Sequence, residues 1–402
     1  MISQSTNWEL SLISAIFGLV SLIAFYFLIK RNFNEKIALL SSIPLIFFPH
    51  LWLIQTNVLH ESLDQGLFLL SLLFFDFFLT KKKFPWFLSS LLFLSLAIFN
   101  FVGLLLWAPV FIGLTILRSK KINWRNIVWG FWLIILSFGL ALGGLFYLNA
   151  PLKVLLFNYG GGGIFAGWSF LDILRILRND VLILFHGYSL AAILGLIFGG
   201  YFLFKKKNWP LIIFLLSFFI PFLITGKFWY GGLFGRYSSL VAYPLALLLA
   251  TVPWRKIYGF LIVILFLSFL PTFWVYQKTP VSQIEAGLID QISLKKEDLL
   301  ILSDYQRPQL TDENALYLGG DQKQQKVIEE KIKEKLNKGE KVFISQQAMT
   351  FPYWQYDGQQ IHIISKGDQN KAQLKEFLSD KKLTPVVDNP QYPLLTIYQL
   401  SL

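Results

Sequence analysis

The polar segment from Gln55 to Asp64 is the densest cluster of acidic residues and histidine in the hydrophobic part of the chain. On a helix that begins near Asn57, positions 57, 60, 61 and 64 follow the spacing i, i+3, i+4 and i+7, so they share one face. That face carries Asn57, His60, Glu61 and Asp64. An ionisable group at the bilayer centre costs roughly 3 kcal/mol or more, so the cluster indicates a functional site. Carboxylates and histidine are groups that transfer protons in general acid–base catalysis.

The same residues also fit the start of a helix. Asn57 is a favourable N-cap, and each acid near a helix N-terminus gains about 0.3–1 kcal/mol from the helix dipole. Capping accounts for Asn57 and Glu61. It does not account for Asp64, a further acid seven residues after Asn57, or for His60 between these two positions. We therefore predict that Glu61, Asp64 and His60 are catalytic and that Asn57 lines the cavity beside them, with helix capping as the alternative.

Three residues further along the chain could hold a phosphate group. Arg236, Lys227 and Tyr237 are predicted on the same side of the membrane as the acidic cluster. A guanidinium can bind a phosphate group through two parallel hydrogen bonds, whereas the alternative for these cations is attraction to lipid headgroups. His186, one to two turns below that surface, is predicted to line the cavity or to be a packing histidine.

The composition requires these residues to be positioned by membrane helices. Of the 402 residues, 55% are hydrophobic and only 15% are charged, which is typical of a polytopic membrane protein. Apolar runs of spanning length predict about ten crossings. The run Phe84–Leu117 has 34 residues, so one helix would reach about 51 Å in a hydrocarbon core of about 30 Å. We predict a hairpin that breaks near Asn100.

The distribution of charge predicts the orientation. Residues 1–279 contain 21 Lys or Arg and 7 Asp or Glu, and the basic clusters alternate with the apolar runs, as expected for cytoplasmic loops. Both termini and the Asn57–Asp64 cluster then face outward, so we predict a multi-pass protein of the cell membrane. Asp76 falls near the cytoplasmic end of its span, where it is expected to pair or to reach the interface. The basic residues form no aromatic-interleaved face, which argues against nucleic-acid binding.

The last third of the chain has a soluble pattern. We predict a membrane domain over 1–278 and a small extracytoplasmic α/β domain over 279–402, in which strands alternate with helices. The predicted strands are Leu299–Leu302, Val342–Ile344, Ile361–Ile364 and Leu394–Leu400, and the predicted helices are Gln322–Lys338 and Asp368–Lys382. No nucleotide-binding loop or metal-ligand spacing accompanies them, which favours a recognition or packing module.

Several segments resemble GT-C membrane glycosyltransferases, in the group related to protein mannosyltransferases and aminoarabinose transferases. The segments that carry the resemblance are Trp8–Gly18, Phe27–Phe33, Ile37–Leu40, Pro49–Trp52, Gly235–Tyr237 and Tyr243-Pro244. The resemblance implies transfer of a sugar from a polyprenyl-phosphate carrier to a glycan or protein acceptor on the outer face. Membrane lipid is a further expected partner.

The resemblance also implies a principal catalytic carboxylate in a first outer loop. The sequence as given begins where that loop would end, so we expect either an N-terminally incomplete form or a non-catalytic relative whose tail binds a partner. A transporter or flippase is a third interpretation, although no inverted repeat is evident. The chain has no cysteine, so no thiolate metal site is expected. No metal ligands are predicted, and a requirement for a divalent metal is left open.

Overall fold

The computed structural model describes most of the chain, and the structural statements below concern those residues. They are 5–49, 51, 60–120, 122–148, 170–225, 236–253, 255–276, 288–292, 294–295, 297–303, 315–318, 322–349, 353–356, 361–364, 374–388 and 396–401. The chain divides into two compact units, Gln4–Thr272 and Phe273–Leu402 with Met1–Ser3. The predicted assignment of 1–278 to the membrane and of 279–402 to an extracytoplasmic domain stays a prediction.

The first unit is built from helices. Its described elements are α1 (Ser5–Asn32), α2 (Glu35–Phe47), α3 (His60–Lys81), α4 (Phe84–Asn100), the 3-10 helix η1 (Val102–Trp107), α5 (Pro109–Ser119), α6 (Trp124–Tyr147), α7 (Phe170–Lys205), α8 (Trp209–Thr225), the 3-10 helix η2 (Arg236–Val241), α9 (Ala242–Thr251) and α10 (Arg255–Tyr276), of which residues 273–276 fall in the second unit. Many large apolar side chains on these helices are exposed, among them Leu19, Phe131 and Phe260. An apolar exterior over an apolar core is typical of helices that face lipid.

Five described segments are long and apolar enough to cross a membrane: 12–32, 62–81, 102–119, 124–147 and 187–205. Three shorter apolar helices lie at 84–100, 209–223 and 239–251. The prediction of a helical membrane protein is confirmed at this level. The number of about ten crossings stays a prediction.

The predicted break in the run 84–117 is confirmed. Helix α4 ends at Asn100, and Phe101 is extended, with φ −144° and ψ 101°. The chain continues as η1 and then as α5, which has Pro109 in its first turn. Proline has no N–H to donate and has a fixed φ, so it fits the first turn of a helix. The apolar run is therefore divided into two helices with the polar Asn100 at the division.

Helix α7 is interrupted at Ser189, whose φ of 70° and ψ of 168° are not helical. This conformation is one that residues other than glycine rarely adopt. The Ser189 Oγ accepts a hydrogen bond from the backbone N–H of Ala191 at 3.1 Å. It thus caps the first turn after the interruption, as an N-cap side chain does.

The second unit contains seven described strands and three described helices. The strands are β1 (Leu299–Ser303), β2 (Ala315–Leu318), β3 (Val342–Ser345), β4 (Tyr353–Tyr356), β5 (Ile361–Ile364), β6 (Lys382–Val387) and β7 (Ile397–Ser401), and the helices are α11 (Gln322–Asn337), α12 (Gln346–Met349) and α13 (Lys375–Leu378). Five strands form a sheet with the order β2-β1-β3-β7-β6, and β4 and β5 form a separate pair. The first three strands pair in parallel, whereas β7 and β6 are antiparallel. The small α/β arrangement is that expected from the alternation of strands and helices.

One predicted helix of this unit ends earlier than expected. Of the helix predicted over 368–382, residues 368–373 lie outside the described residues, α13 covers Lys375–Leu378, and Lys382 already begins β6. Leu383 of that strand is paired with Leu400 of β7. Pairing with a neighbouring strand outweighs helix propensity, which is only a few tenths of a kcal/mol per residue.

Candidate functional site

The structure describes only part of the cluster predicted to be catalytic. Asn57 lies outside the described residues. His60 and Glu61 belong to the first turn of α3, but their side chains are likewise outside the description. Asp64 is described fully, and only 3% of its surface is exposed. The predicted common face of the four residues therefore stays a prediction.

Asp64 is linked to the break between α4 and η1. The side-chain amide of Asn100 donates a hydrogen bond to Asp64 Oδ1, with a nitrogen–oxygen distance of 2.6 Å. Asn100 is itself exposed, so the amide covers the carboxyl group from its outer side. A carboxylate that accepts such a bond is held in one orientation, because bonds to ionised groups are the stronger ones.

Gln65 takes part in a buried polar network that connects three helices. The hydroxyl of Tyr243 in α9 lies 2.9 Å from Ser21 Oγ and 3.2 Å from Gln65 Oε1. Ser21 donates its own proton to the carbonyl of Gly18 at 2.7 Å, so its oxygen can accept from Tyr243. Buried polar groups are retained where they have such partners. Tyr243 therefore connects α9 to α1 and α3.

The first turns of α3 are also fixed against α1. Ser62 Oγ donates to the carbonyl oxygen of Ser14 at 2.7 Å. A Cβ atom on Gly66 would lie 2.9 Å from Phe17 Cδ1, so only glycine fits the distance between these two helices. Ser62, Asp64 and Gln65 thus hold one segment of α3 against α1, α4 and α9. This segment directly follows His60 and Glu61, which with Asp64 are the three residues predicted to be catalytic.

The opposite end of α3 carries a buried ionic cluster around Asp76. Arg31 Nε lies 2.6 Å from Asp76 Oδ2, and Arg118 Nε lies 3.7 Å from Oδ1. Asn32 Nδ2 donates to Oδ1 at 3.2 Å, and the Asp76 carboxyl group is fully buried. The expectation that Asp76 pairs is confirmed. The cluster joins the C-terminal ends of α1, α3 and α5 and has a structural role.

Asp180 is a further buried acid of the first unit. It lies on α7 before the candidate span 187–205 and is 3% exposed. Among the described residues, neither of its carboxylate oxygens has a hydrogen-bond partner. Burial raises the pKa of Asp180 to about 8, because desolvation disfavours the charged form. The signal in the sequence was a single acid directly before an apolar run.

The structure describes only the backbone of some residues predicted to bind the carrier phosphate. Lys227 lies outside the described residues. Arg236 and Tyr237 begin η2, and His186 lies within α7, but the side chains of all three belong to the part that is not described. Helix η2 leads directly into α9, which carries Tyr243. Their roles in phosphate binding and in lining the cavity stay predictions.

No metal site can be assembled from the side chains described. Within that part of the chain, no group of three His, Asp or Glu side chains converges as metal ligands.

The fold and these contacts define a helical membrane protein with a polar segment at the start of α3. Residues 1–142 match the model of the family described as dolichyl-phosphate-mannose-protein mannosyltransferase. The resemblance to GT-C glycosyltransferases is confirmed over this segment, which includes Asp64, Asp76 and Asn100. No curated protein matches the chain.

Proposed function

We propose that the protein is a membrane glycosyltransferase that moves a sugar from a polyprenyl-phosphate carrier to an acceptor hydroxyl on the outer face of the membrane. The observation that carries the proposal is the buried Asp64–Asn100 pair, which lies within the segment that matches the mannosyltransferase family. A buried acid is costly in a membrane protein, so its retention beside a helix break supports a functional role.

In the proposed reaction the acceptor oxygen forms a bond to the anomeric carbon as the bond between that carbon and the phosphate oxygen breaks. The acceptor proton passes to a carboxylate, and the polyprenyl phosphate leaves with its negative charge. We assign proton transfer to Glu61, with His60 beside it, because Asp64 is 3% exposed and covered by Asn100. Asp64 then acts as a positioning residue that fixes the first turns of α3. General-base catalysis of this kind contributes about 10²–10⁴-fold.

The phosphate of the carrier is assigned to Arg236 and Lys227, with Tyr237 as a further donor. A guanidinium stabilises the charge that develops on the leaving phosphate. Asn57 and His186 are assigned to the acceptor side of the cavity. The soluble unit, 279–402 in the predicted boundaries, is proposed to face outward and to contact the acceptor.

The test uses the purified full chain in lipid nanodiscs, supplied with a panel of polyprenyl-phosphate hexoses and pentoses. Consumption of any one donor by the wild-type chain, with release of polyprenyl phosphate, supports the proposal. Glu61→Gln is expected to lower turnover by about 10²-fold or more. Glu35→Gln removes an exposed acid that pairs with Lys30 and is the matched control, for which unchanged turnover is expected.

The variant Asp64→Asn distinguishes the role of the Asp64 carboxylate from that of the Glu61 carboxylate. It keeps an oxygen that can accept from Asn100, so we expect a smaller loss and an unchanged acid limb of the pH–rate profile. The acid limb is expected to disappear only in Glu61→Gln. If the wild-type chain consumes no donor of the panel, the enzymatic proposal is wrong and the non-catalytic scaffold becomes the better interpretation.

A further inference from the structure

A groove of about 580 Å³ runs between α4 and α6. Two helical stripes line it, each with the i, i+3, i+4, i+7 spacing of one helix face. The lining residues are Phe84, Phe87, Leu88 and Leu91 of α4 and Arg125, Val128, Trp129, Trp132 and Leu136 of α6. Arg125 is the single charged residue among them. The groove is therefore lined by apolar and aromatic side chains, with Arg125 as the one cation among the lining residues.

Helices α4 and α6 run in the same direction. Arg125, in the first turn of α6, therefore lies at the same end of the groove as Phe84, the first residue of α4. The rings of Phe87 and Trp129 are 5.2 Å apart, and farther along, Ser137 Oγ lies 3.5 Å from the carbonyl oxygen of Leu91. From Arg125 to Leu136 the rise is about 16 Å at 1.5 Å per residue. This is about half of a hydrocarbon core of about 30 Å, which is the depth of one leaflet.

The Arg125 end of the groove is strongly basic. Residues 81–147 contain seven Lys or Arg and no Asp or Glu. Lys82 Nζ donates to Asn126 Oδ1 at 2.7 Å, which places a second cation beside Arg125. Desolvation and the charge of Arg125 together lower the pKa of Lys82. A negative group bound here would relieve this repulsion.

The described acids on the same side of the helical unit already have basic partners. Asp76 contacts Arg31 and Arg118, and Glu35 lies 3.3 Å from Lys30. The positive charge around Arg125 and Lys82 is therefore suited to bind an anion from outside the chain. Each basic residue near an anionic lipid surface contributes about 1 kcal/mol.

We propose that this groove binds an acidic diacyl phospholipid. One acyl chain lies against Leu88, Trp129 and Trp132, and the headgroup phosphate accepts hydrogen bonds from Arg125 and Lys82. The depth of one leaflet fits an acyl chain, and the paired cations fit a phosphate that carries no compensating positive charge. This site is separate from the Asp64 segment and independent of the proposed transferase reaction.

The test measures lipids retained by the purified full chain. The protein is extracted from mixed phosphatidylcholine–phosphatidylglycerol vesicles and analysed by native mass spectrometry. The wild-type chain is expected to retain phosphatidylglycerol over phosphatidylcholine, and Arg125→Gln to reduce its retention by about tenfold, the effect of a charge-assisted hydrogen bond. Arg255→Gln removes an exposed cation at the start of α10 and is expected to retain the lipid as the wild type does.

Three results overturn the proposal. They are equal retention of the two phospholipids by the wild-type chain, unchanged retention by Arg125→Gln, and preferential retention of an added polyprenyl phosphate over phosphatidylglycerol. A second copy of the chain in place of the lipid would also count against it. If Arg125→Gln fails to fold, the competition among lipids on the wild-type chain decides the matter without a variant.

Discussion

The side-chain nitrogen of Asn100 lies 2.6 Å from Asp64 Oδ1, across a sequence separation of 36 residues. Asn100 is the last residue of α4, and Asp64 lies in the first turns of α3. The residue at which an overlong apolar run breaks is therefore the residue that orients the buried acid. The residue Asn100 therefore both ends α4 and supplies the amide that donates a hydrogen bond to Asp64.

This pair predicts energetic coupling. Asn100→Ala is expected to lower the free energy of unfolding by about 1–3 kcal/mol, because it removes a donor from the buried Asp64 carboxylate. Asp64→Ala is expected to cost about 0.5–1.5 kcal/mol, because the exposed Asn100 amide it leaves can bond to water. The double variant is expected to lose less than the sum, with a coupling of about 0.5–3 kcal/mol. Denaturant unfolding of the four proteins in detergent measures it. Ser89→Ala, which removes a hydroxyl that donates to the Pro85 carbonyl oxygen of its own helix, is the control, and strict additivity would count against the coupling.

The ionic cluster around Asp76 predicts a larger loss. Asp76→Ala leaves Arg31 and Arg118 without the buried carboxylate between them, and breaking a buried ion pair from one side costs about 3–5 kcal/mol. Glu35→Gln, at the exposed pair with Lys30, is expected to cost between about 0 and 1 kcal/mol. Thermal unfolding in detergent compares the two. A similar loss in both variants would remove the special role of the buried cluster.

Two neighbouring glycines in α7 provide a matched pair. A Cβ on Gly199 would lie 2.6 Å from the carbonyl oxygen of Leu248 in α9, whereas one on Gly200 would meet no atom within 4 Å. Gly199→Ala is therefore expected to destabilise the protein by about 1–3 kcal/mol through overpacking. Gly200→Ala is expected to be neutral or to stabilise by about 0.5–1 kcal/mol, since alanine favours helix. Melting temperatures decide, and equal values for both variants would contradict the packing described.

Asp180 predicts a dependence of stability on pH. Its pKa is raised from 3.8 to about 8 in the folded chain, so the folded state keeps a proton that the unfolded state has lost. Stability is then expected to fall as pH rises between these two values, and to become independent of this group above the upper one. Asp180→Asn is expected to remove this part of the dependence. Melting temperatures from pH 5 to 9 measure it, with Glu35→Gln as control. A wild-type decline that persists in Asp180→Asn would refute the assignment.

The helical organisation could be read from the chain because it depends on local properties. The length and hydrophobicity of a run decide whether it can span a membrane. The break at Asn100 followed from the excess length of one run and from the basic residues on both sides of it. The C-terminal end of the helix predicted over 368–382 was wrong for the opposite reason: Lys382 pairs in a strand with Ser401, and such pairing is not encoded in the segment itself.

The sequence by itself determined that this is a helical membrane protein, which apolar run must divide, and that Asp76 needs a partner. Only the tertiary structure decided which groups meet: Asp64 with Asn100, Tyr243 with Ser21, and Arg118 with Asp76. What the sequence determined follows from the periodicity of apolar residues and from the free-energy cost of burying a charge, which are properties of each segment separately. What the tertiary structure decided depends on the distances and rotations at which helices pack, and these are fixed by contacts between residues as far apart in the chain as positions 21 and 243.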